Sequence, residues 1–141
     1  MKTSYSTVLA FHIRDVRESL GITQAHIAEM LGMTSAGWGK IESNKSTLSV
    51  ENLMKFCKVA KCDASKLIDT ALRVSQNLRN IGWEVVFSQV ENDDLITGKS
   101  IPYSFSEGAI NIDDYPLIKA IEGSVGKSAF SFMVVSGFFK K

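Results

Sequence analysis

The stretch TQAHIAEMLGMTSAGWGKIE, residues 23–42, decides how this chain folds. It holds two short segments, and each begins with a threonine, Thr23 or Thr34, of the kind that caps a helix N-terminus. Between them, Gly32 permits a sharp backbone turn, and Met33 can fill the angle between two helices. The stretch therefore predicts two short helices joined by a tight turn, which is a helix-turn-helix unit.

Apolar residues on both sides of this unit repeat at helical spacing and predict three further helices. A first helix over about residues 6–20 ends at Gly21, a fourth is capped by Ser49, and a fifth starts at Asp63 or Ser65. The apolar positions are Leu9, Ile13, Val16 and Leu20 in the first helix, and Leu53, Phe56, Cys57 and Ala60 in the fourth. Residues 6–80 are therefore expected to form five helices.

In a helix-turn-helix unit the second helix fits the major groove of DNA, about 12 Å wide, and the first lies across the backbone. Residues 13–67 resemble the lambda Cro/C1-type helix-turn-helix family, also called the XRE family. The residues that carry the resemblance stand at family spacing without a gap: Ile13-Arg14 with Arg17, Gly21-Ile22-Thr23-Gln24, Ile27-Ala28, Leu31-Gly32, Lys40-Ile41-Glu42 and Leu53. The resemblance implies a five-helix, lambda-repressor-like domain that binds double-stranded DNA.

The resemblance also implies roles for single residues. Gln24 opens the first motif helix and would touch a phosphate or a base edge, while Arg17 and Glu42 would form a partly buried ion pair of structural value. The exposed start of the second motif helix and the loop behind it would lie on DNA, with hydroxyl, amide and Lys donors suited to phosphates and short groups suited to base edges. The predicted DNA-binding residues are Gln24, Thr34, Ser35, Ala36, Gly37, Gly39, Lys40, Ser43, Asn44 and Lys45.

The chain departs from the family pattern inside the second motif helix. Gly37 and Gly39 stand where the family places polar residues, and each costs about 1 kcal/mol of helix stability relative to Ala. Trp38 stands at a position that the family fills with a β-branched apolar residue, and we expect it in the core. Asn44 replaces the glycine after this helix, which is acceptable because Asn tolerates the left-handed conformation.

The amino-acid composition of the sequence changes after Gly82. Residues 83–90 are β-branched and aromatic and predict a strand, followed by a polar turn over residues 91–94. Further strands are predicted at residues 101–105 and 130–139, with a short helix at residues 117–121 between them. The fold class is therefore α+β: a DNA-binding domain over residues 1–68, a connecting helix over residues 69–80, and a small α+β dimerisation or sensing module over residues 81–141.

Composition and charge narrow the classes of function. The chain has 141 residues and a net charge of +1, which divides into 11 Lys/Arg against 7 Asp/Glu up to residue 80 and 5 Lys against 8 Asp/Glu after it. A basic first part favours a polyanion as its partner. We expect a cytoplasmic protein, because the sequence lacks a membrane-spanning apolar run and a signal peptide pattern. Cys57 and Cys62 are expected to be plain thiols, and the two histidines stand apart, so no metal, cofactor or catalysis is predicted.

These observations predict a sequence-specific transcriptional regulator, most simply a repressor that binds a near-palindromic operator as a homodimer with half-sites about 34 Å apart. The alternatives are an antitoxin-type regulator whose second module sequesters a protein, or a sensor whose second module binds a small molecule. In the sensor, Trp83, Tyr103, Phe105 and Phe130 would line the pocket, although such aromatics more often form a core. A heptad-like stripe in the fifth helix packs either on its own chain or on a second copy: Leu67, Ala71, Val74, Leu78 and Ile81.

Overall fold

The computed structural model describes residues 1–98 and Leu117. Residues 1–98 contain five helices and two short strands, so the predicted number of helices is confirmed. In chain order the elements are β1 (Lys2–Ser4), α1 (Tyr5–Ser19), α2 (Gln24–Met30), α3 (Ser35–Glu42), α4 (Val50–Ala60), α5 (Ala64–Asn80) and β2 (Glu84–Val86). None of the helices in this part of the chain has the length and hydropathy needed to cross a membrane.

The helix boundaries follow from local chemistry. The side chains of Thr23, Thr34 and Ser49 each accept a hydrogen bond of 3.0–3.1 Å from the backbone N–H three residues later, as predicted for N-caps. Gly21 and Gly32 both have φ +71°, the left-handed conformation that ends α1 and α2. Capping residues and glycines thus set the lengths of the helices around the turn.

The main hydrophobic core lies between α1 and the four helices that follow it. Trp38 is fully buried there and stacks on Phe56, with ring centroids 5.8 Å apart and planes 8° apart. The prediction that Trp38 fills the core is therefore confirmed. The other large side chains of this cluster are Ile13, Val16, Ile27, Leu31, Ile41, Leu53 and Leu67. Burying each such side chain contributes roughly 1.5–3 kcal/mol to folding.

A second, smaller cluster joins the other end of α1 to α5. The heptad-like stripe of α5 points into the chain's own core: Leu67, Ala71, Val74 and Leu78 are buried, whereas Ile81 is 47% exposed. Trp83 is 7% exposed and belongs to this cluster, so the expectation that it lies in a core is confirmed. The three aromatic residues grouped with it, Tyr103, Phe105 and Phe130, lie outside the described residues. The cluster consists of Val8, Phe11, Ala71, Val74, Leu78, Trp83 and Leu95.

The two strands form a parallel sheet that brings the N-terminus beside residues 84–86. Lys2 lies opposite Glu84, and Ser4 lies opposite Val86. The strand predicted over residues 83–90 is wrong in extent, because only Glu84–Val86 are extended and paired. Before it, the N–H of Trp83 is held by the carbonyl of Leu78 at the end of α5, and β1 offers only three residues for pairing.

A buried aspartate fixes the N-terminus to the predicted turn. Asp93 is 3% exposed, and its Oδ2 accepts hydrogen bonds from the hydroxyls of Thr3 at 2.9 Å and Thr7 at 2.7 Å. Its Oδ1 accepts the backbone N–H of Leu95 at 2.9 Å. The polar turn predicted over residues 91–94 is confirmed, and it is attached to β1 and α1.

The remaining predictions for the second module lie outside the described residues. These are the strands over residues 101–105 and 130–139 and the helix over residues 117–121, of which only Leu117 is described, as helical.

The two cysteines are free thiols at the end of α4 and in the turn that follows. Burial raises the pKa of the Cys62 thiol to about 12, with a further contribution from the neighbouring Cys57 thiol. A thiol with such a pKa stays protonated at neutral pH and is a poor nucleophile. Within the described part of the chain, there is no group of three or more His, Cys, Asp or Glu residues that could hold a metal ion.

Candidate nucleic-acid interface

The turn between α2 and α3 is closed by backbone hydrogen bonds. The N–H of Met33 donates to the carbonyl of Ala28 at 2.8 Å, and the N–H of Gly32 donates to that of Glu29 at 3.1 Å. The Met33 side chain packs against the main core, as its predicted place in the angle between the helices requires. This arrangement fixes the direction in which α3 leaves the turn.

α3 has one buried face and one exposed face. Trp38, Ile41 and Glu42 are buried, so they hold the helix on the core. Of the predicted DNA-binding residues, Thr34, Ser35, Ala36 and Lys40 are exposed, while Gly37 and Gly39 are half-buried. The exposed residues lie in the cap, the first turn and the last turn of α3, where free backbone N–H groups and a Lys offer hydrogen-bond donors to an anion.

A buried ion pair anchors α3 to α1 and α2. Arg17 and Glu42 are 7% and 4% exposed, and the shortest distance between them joins Nε to Oε2 at 2.6 Å. Oε2 also accepts the indole N–H of Trp38 at 2.5 Å, and Oε1 accepts Nη2 of Arg17 at 2.9 Å and Nε2 of Gln24 at 3.0 Å. Arg17 donates in addition to the carbonyl of Ile22 at 2.6 Å. The structural ion pair that the family resemblance implied is therefore confirmed.

Gln24 joins this network to the interface. Its amide nitrogen is bonded to Glu42, and its amide oxygen lies 3.6 Å from the place that a Cβ of residue Gly39 would occupy. The side chain is half-buried, so α2 presents this amide beside the middle of α3. The structure thus brings Gln24 together with the α3 residues with which it was grouped from the sequence.

Of the three residues predicted to bind DNA in the loop after α3, only Lys45 is exposed to solvent. Lys45 is exposed and its N–H donates to the carbonyl of Lys40 at 2.8 Å, whereas Ser43 is half-buried. Asn44 has φ +57°, the left-handed conformation predicted for it. Its side chain, however, is turned inward, and its amide donates to the hydroxyls of Ser6 at 3.1 Å and Thr7 at 3.0 Å.

The Asn44 side chain therefore holds the loop to α1, and its place among the DNA-binding residues stays a prediction. Its backbone is occupied too, since its carbonyl accepts the side-chain amide of Gln89 at 2.8 Å. The supporting residues Ser6, Thr7 and Gln89 were missed from the sequence. They stand far from Asn44 along the chain, and no local pattern connects them.

The comparisons with known proteins agree with this geometry. A family model described as helix-turn-helix matches residues 13–67. These residues therefore form a Cro/C1-type helix-turn-helix domain of the XRE family. A domain of this kind supports a DNA-binding transcriptional regulator as the class of this protein. Comparison with curated proteins and with solved structures gave no match.

Proposed function

We propose that the protein is a repressor that binds a near-palindromic operator as a homodimer, with α3 in the major groove of each half-site. The observation that carries this proposal is the two-faced α3. Its buried face is fixed by Trp38 and the Arg17–Glu42 ion pair, and its opposite face exposes Ser35, Ala36 and Lys40. A rigidly held helix with short side chains in its exposed first turn suits base-edge contacts.

Phosphate contacts would come from residues at the border of this face. Lys45 in the loop and the N–H groups at the start of α3 can donate to phosphate oxygens, and Gln24 can do so from α2. A single domain contacts few base pairs, and a dimer doubles the number of bases read. In this proposal residues 1–68 bind DNA, residues 69–80 connect, and residues 81–141 dimerise the protein or sense a partner.

The test is a fluorescence-anisotropy titration of the full chain on the DNA upstream of its own gene, beside a scrambled duplex at the same near-physiological salt. We expect a preference for the upstream DNA of about a thousandfold or more. Light scattering of the free protein and of the complex should give two chains in each case. Equal weak binding to both duplexes, or one chain per complex, would contradict the proposal.

The variant Ser35→Ala tests the base-reading role of α3. Loss of its hydroxyl should cost about 1–3 kcal/mol of binding to the operator and less on the scrambled duplex. The side chain is exposed, so the thermal unfolding midpoint of the variant should match that of the wild type. Equal losses on both duplexes would remove Ser35 from the residues that read bases.

A further inference from the structure

A cavity of about 300 Å³ lies beside the loop that follows α3. Four parts of the chain line it: the start of α1, Ile41 of α3, the loop over residues 44–48, and the segment after β2. The apolar lining residues are Leu9, Ala10, Ile41, Leu48 and Phe87. Small-molecule sites have volumes of roughly 300–1,000 Å³ and mainly apolar walls, so this cavity is of the right kind for a small ligand.

Part of the cavity lining is polar and carries one charge. Lys45 is the only charged residue among the described residues that line it, and it is exposed. The other polar residues of the lining carry hydroxyl and amide groups: Ser6, Asn44, Ser46, Thr47 and Gln89. A cavity that combines five apolar side chains with a single exposed ammonium favours a ligand with an apolar body and one anionic group.

The exposure of the Phe87 ring is the observation that most directly indicates a ligand. It is 90% exposed, the most exposed large apolar side chain of the described residues, although it stands directly after a strand. Its ring stacks on Tyr5, with centroids 5.4 Å apart and planes 21° apart, so its position is defined. A flat apolar molecule in the cavity would cover this ring and remove apolar surface from water.

We propose that this cavity binds a small aromatic anion, with its ring against Phe87 and Leu48 and its anionic group at Lys45. Such a ligand regulates DNA binding, because Lys45 is also a proposed phosphate contact. The ligand would also lie beside Gln89, whose side-chain amide donates a hydrogen bond to the carbonyl of Asn44 in the loop after α3. Ligand and DNA therefore compete, and each lowers the affinity for the other by the same factor. The regulatory part rests on the proposed function; the site itself does not.

The test uses two fluorescent probes that differ by one charge. 1-Anilinonaphthalene-8-sulfonate carries an anionic group, and N-phenyl-1-naphthylamine is the same molecule without it. Titrated into the full-length protein, the anionic probe should bind at one site per chain and gain fluorescence. Lys45→Ala should weaken binding of the anionic probe about fivefold and leave that of the neutral probe unchanged. Phe87→Ala should weaken both about tenfold.

Met54→Ala is the matched control, because Met54 is also an exposed apolar side chain, at 54%, but does not line the cavity. It should bind both probes as the wild type does. The thermal midpoint of Phe87→Ala should match the wild type, since so exposed a ring contributes little to the core. The proposed site is wrong if the anionic probe does not bind, or if Met54→Ala weakens binding of this probe as much as Phe87→Ala does.

A second arm measures the coupling to DNA. Saturating anionic probe should lower the affinity of the wild type for its operator and leave that of Phe87→Ala unchanged. Probe binding at the cavity with unchanged operator affinity overturns the regulatory part alone. Probe binding as mapped, by a protein that binds no DNA, leaves the site in place and overturns the proposed function instead.

Discussion

Gly39 lowers the stability of α3, although the structure has room for a methyl group at this position. It lies in the interior of α3, where Gly is less favourable than Ala. A methyl group there would meet the Gln24 amide oxygen at 3.6 Å, an ordinary van der Waals distance. We therefore expect Gly39→Ala to raise the free energy of unfolding by about 1 kcal/mol, as measured by urea denaturation.

Gly37→Ala is the matched control for this prediction. Its methyl group would come within 3.0 Å of the Thr34 hydroxyl oxygen, which accepts the N–H of Gly37 and caps α3. The gain in helix propensity is then offset by strain on a cap worth about 1 kcal/mol. If both variants raised the free energy of unfolding equally, the contact with the Thr34 hydroxyl would not decide the effect of Gly37→Ala.

His12 is a fully buried residue of α1 whose charge state links stability to pH. Burial, with a smaller contribution from the charge of Arg73, lowers the pKa of His12 from 6.5 to about 3. The unfolded chain binds a proton at this residue below pH 6.5, and the folded chain does not until about pH 3. Stability therefore falls as the pH falls through this window.

From pH 7.5 to pH 5 this linkage amounts to a loss of about 2 kcal/mol in the free energy of unfolding. Urea denaturation at the two pH values should show a smaller loss in His12→Gln than in the wild type, by about this amount. His26→Gln is the control, because His26 is exposed in α2, and it should keep the wild-type loss. An unchanged pH dependence in His12→Gln would contradict a buried neutral His12.

At the scale of elements, the helices were predictable and the sheet was not. The starts of α2, α3 and α4 can be predicted from Thr23, Thr34 and Ser49, because an N-cap is a hydrogen bond between residues close together in the sequence. Lys2–Ser4 contains no alternating apolar pattern, and it becomes a strand only by pairing with Glu84–Val86. Pairing between segments so far apart in the chain depends on tertiary contacts, which a local pattern does not record.

The candidate interface shows the same division. The exposed residues of α3 and the Arg17–Glu42 pair could be placed from the family resemblance, because the domain has a fixed spacing. The inward turn of Asn44 could not be placed, since it depends on hydroxyls of Ser6 and Thr7 in another helix. Asn44 has the backbone conformation predicted from its type, and a side-chain role that only the packed structure reveals.

Asp93 decides whether β1 and the turn after β2 stay attached to the helices. Its two carboxylate oxygens accept the hydroxyls of Thr3 and Thr7 and the N–H of Leu95, all in the interior. Asp93→Asn has the same shape but places an N–H₂ group opposite donors. We expect a loss of about 2–3 kcal/mol in the free energy of unfolding by urea denaturation, and faster amide hydrogen exchange at residues 2–4.

Glu91→Gln, at an exposed position of the same turn, should stay within about 0.5 kcal/mol of the wild type. A similar small effect for Asp93→Asn would show that the carboxylate charge is not needed for this attachment.

At the scale of the whole molecule, residues 83–95, which include β2, pack against the helices and the loop behind α3. Trp83 and Leu95 complete the smaller core with α1 and α5, and Gln89 bonds to the loop behind α3. The loop after α3 is thus supported by a residue that lies beyond the family match at residues 13–67. Anything that moves the segment over residues 87–94 therefore acts on the loop that carries Lys45.

The role of Lys45 is best tested through the salt dependence of the complete protein–DNA complex. A Lys that neutralises one phosphate releases about one counterion, so Lys45→Ala should make the slope of log affinity against log salt shallower by about 1 per chain. It should weaken the upstream and the scrambled duplex by similar factors, because a phosphate contact carries no sequence information. Lys58→Ala, an exposed Lys in the last turn of α4 outside the proposed interface, should keep the wild-type slope. If the two variants have equal slopes, Lys45 makes no phosphate contact, and an anion at the cavity mouth must act on DNA through the Asn44–Gln89 hydrogen bond alone.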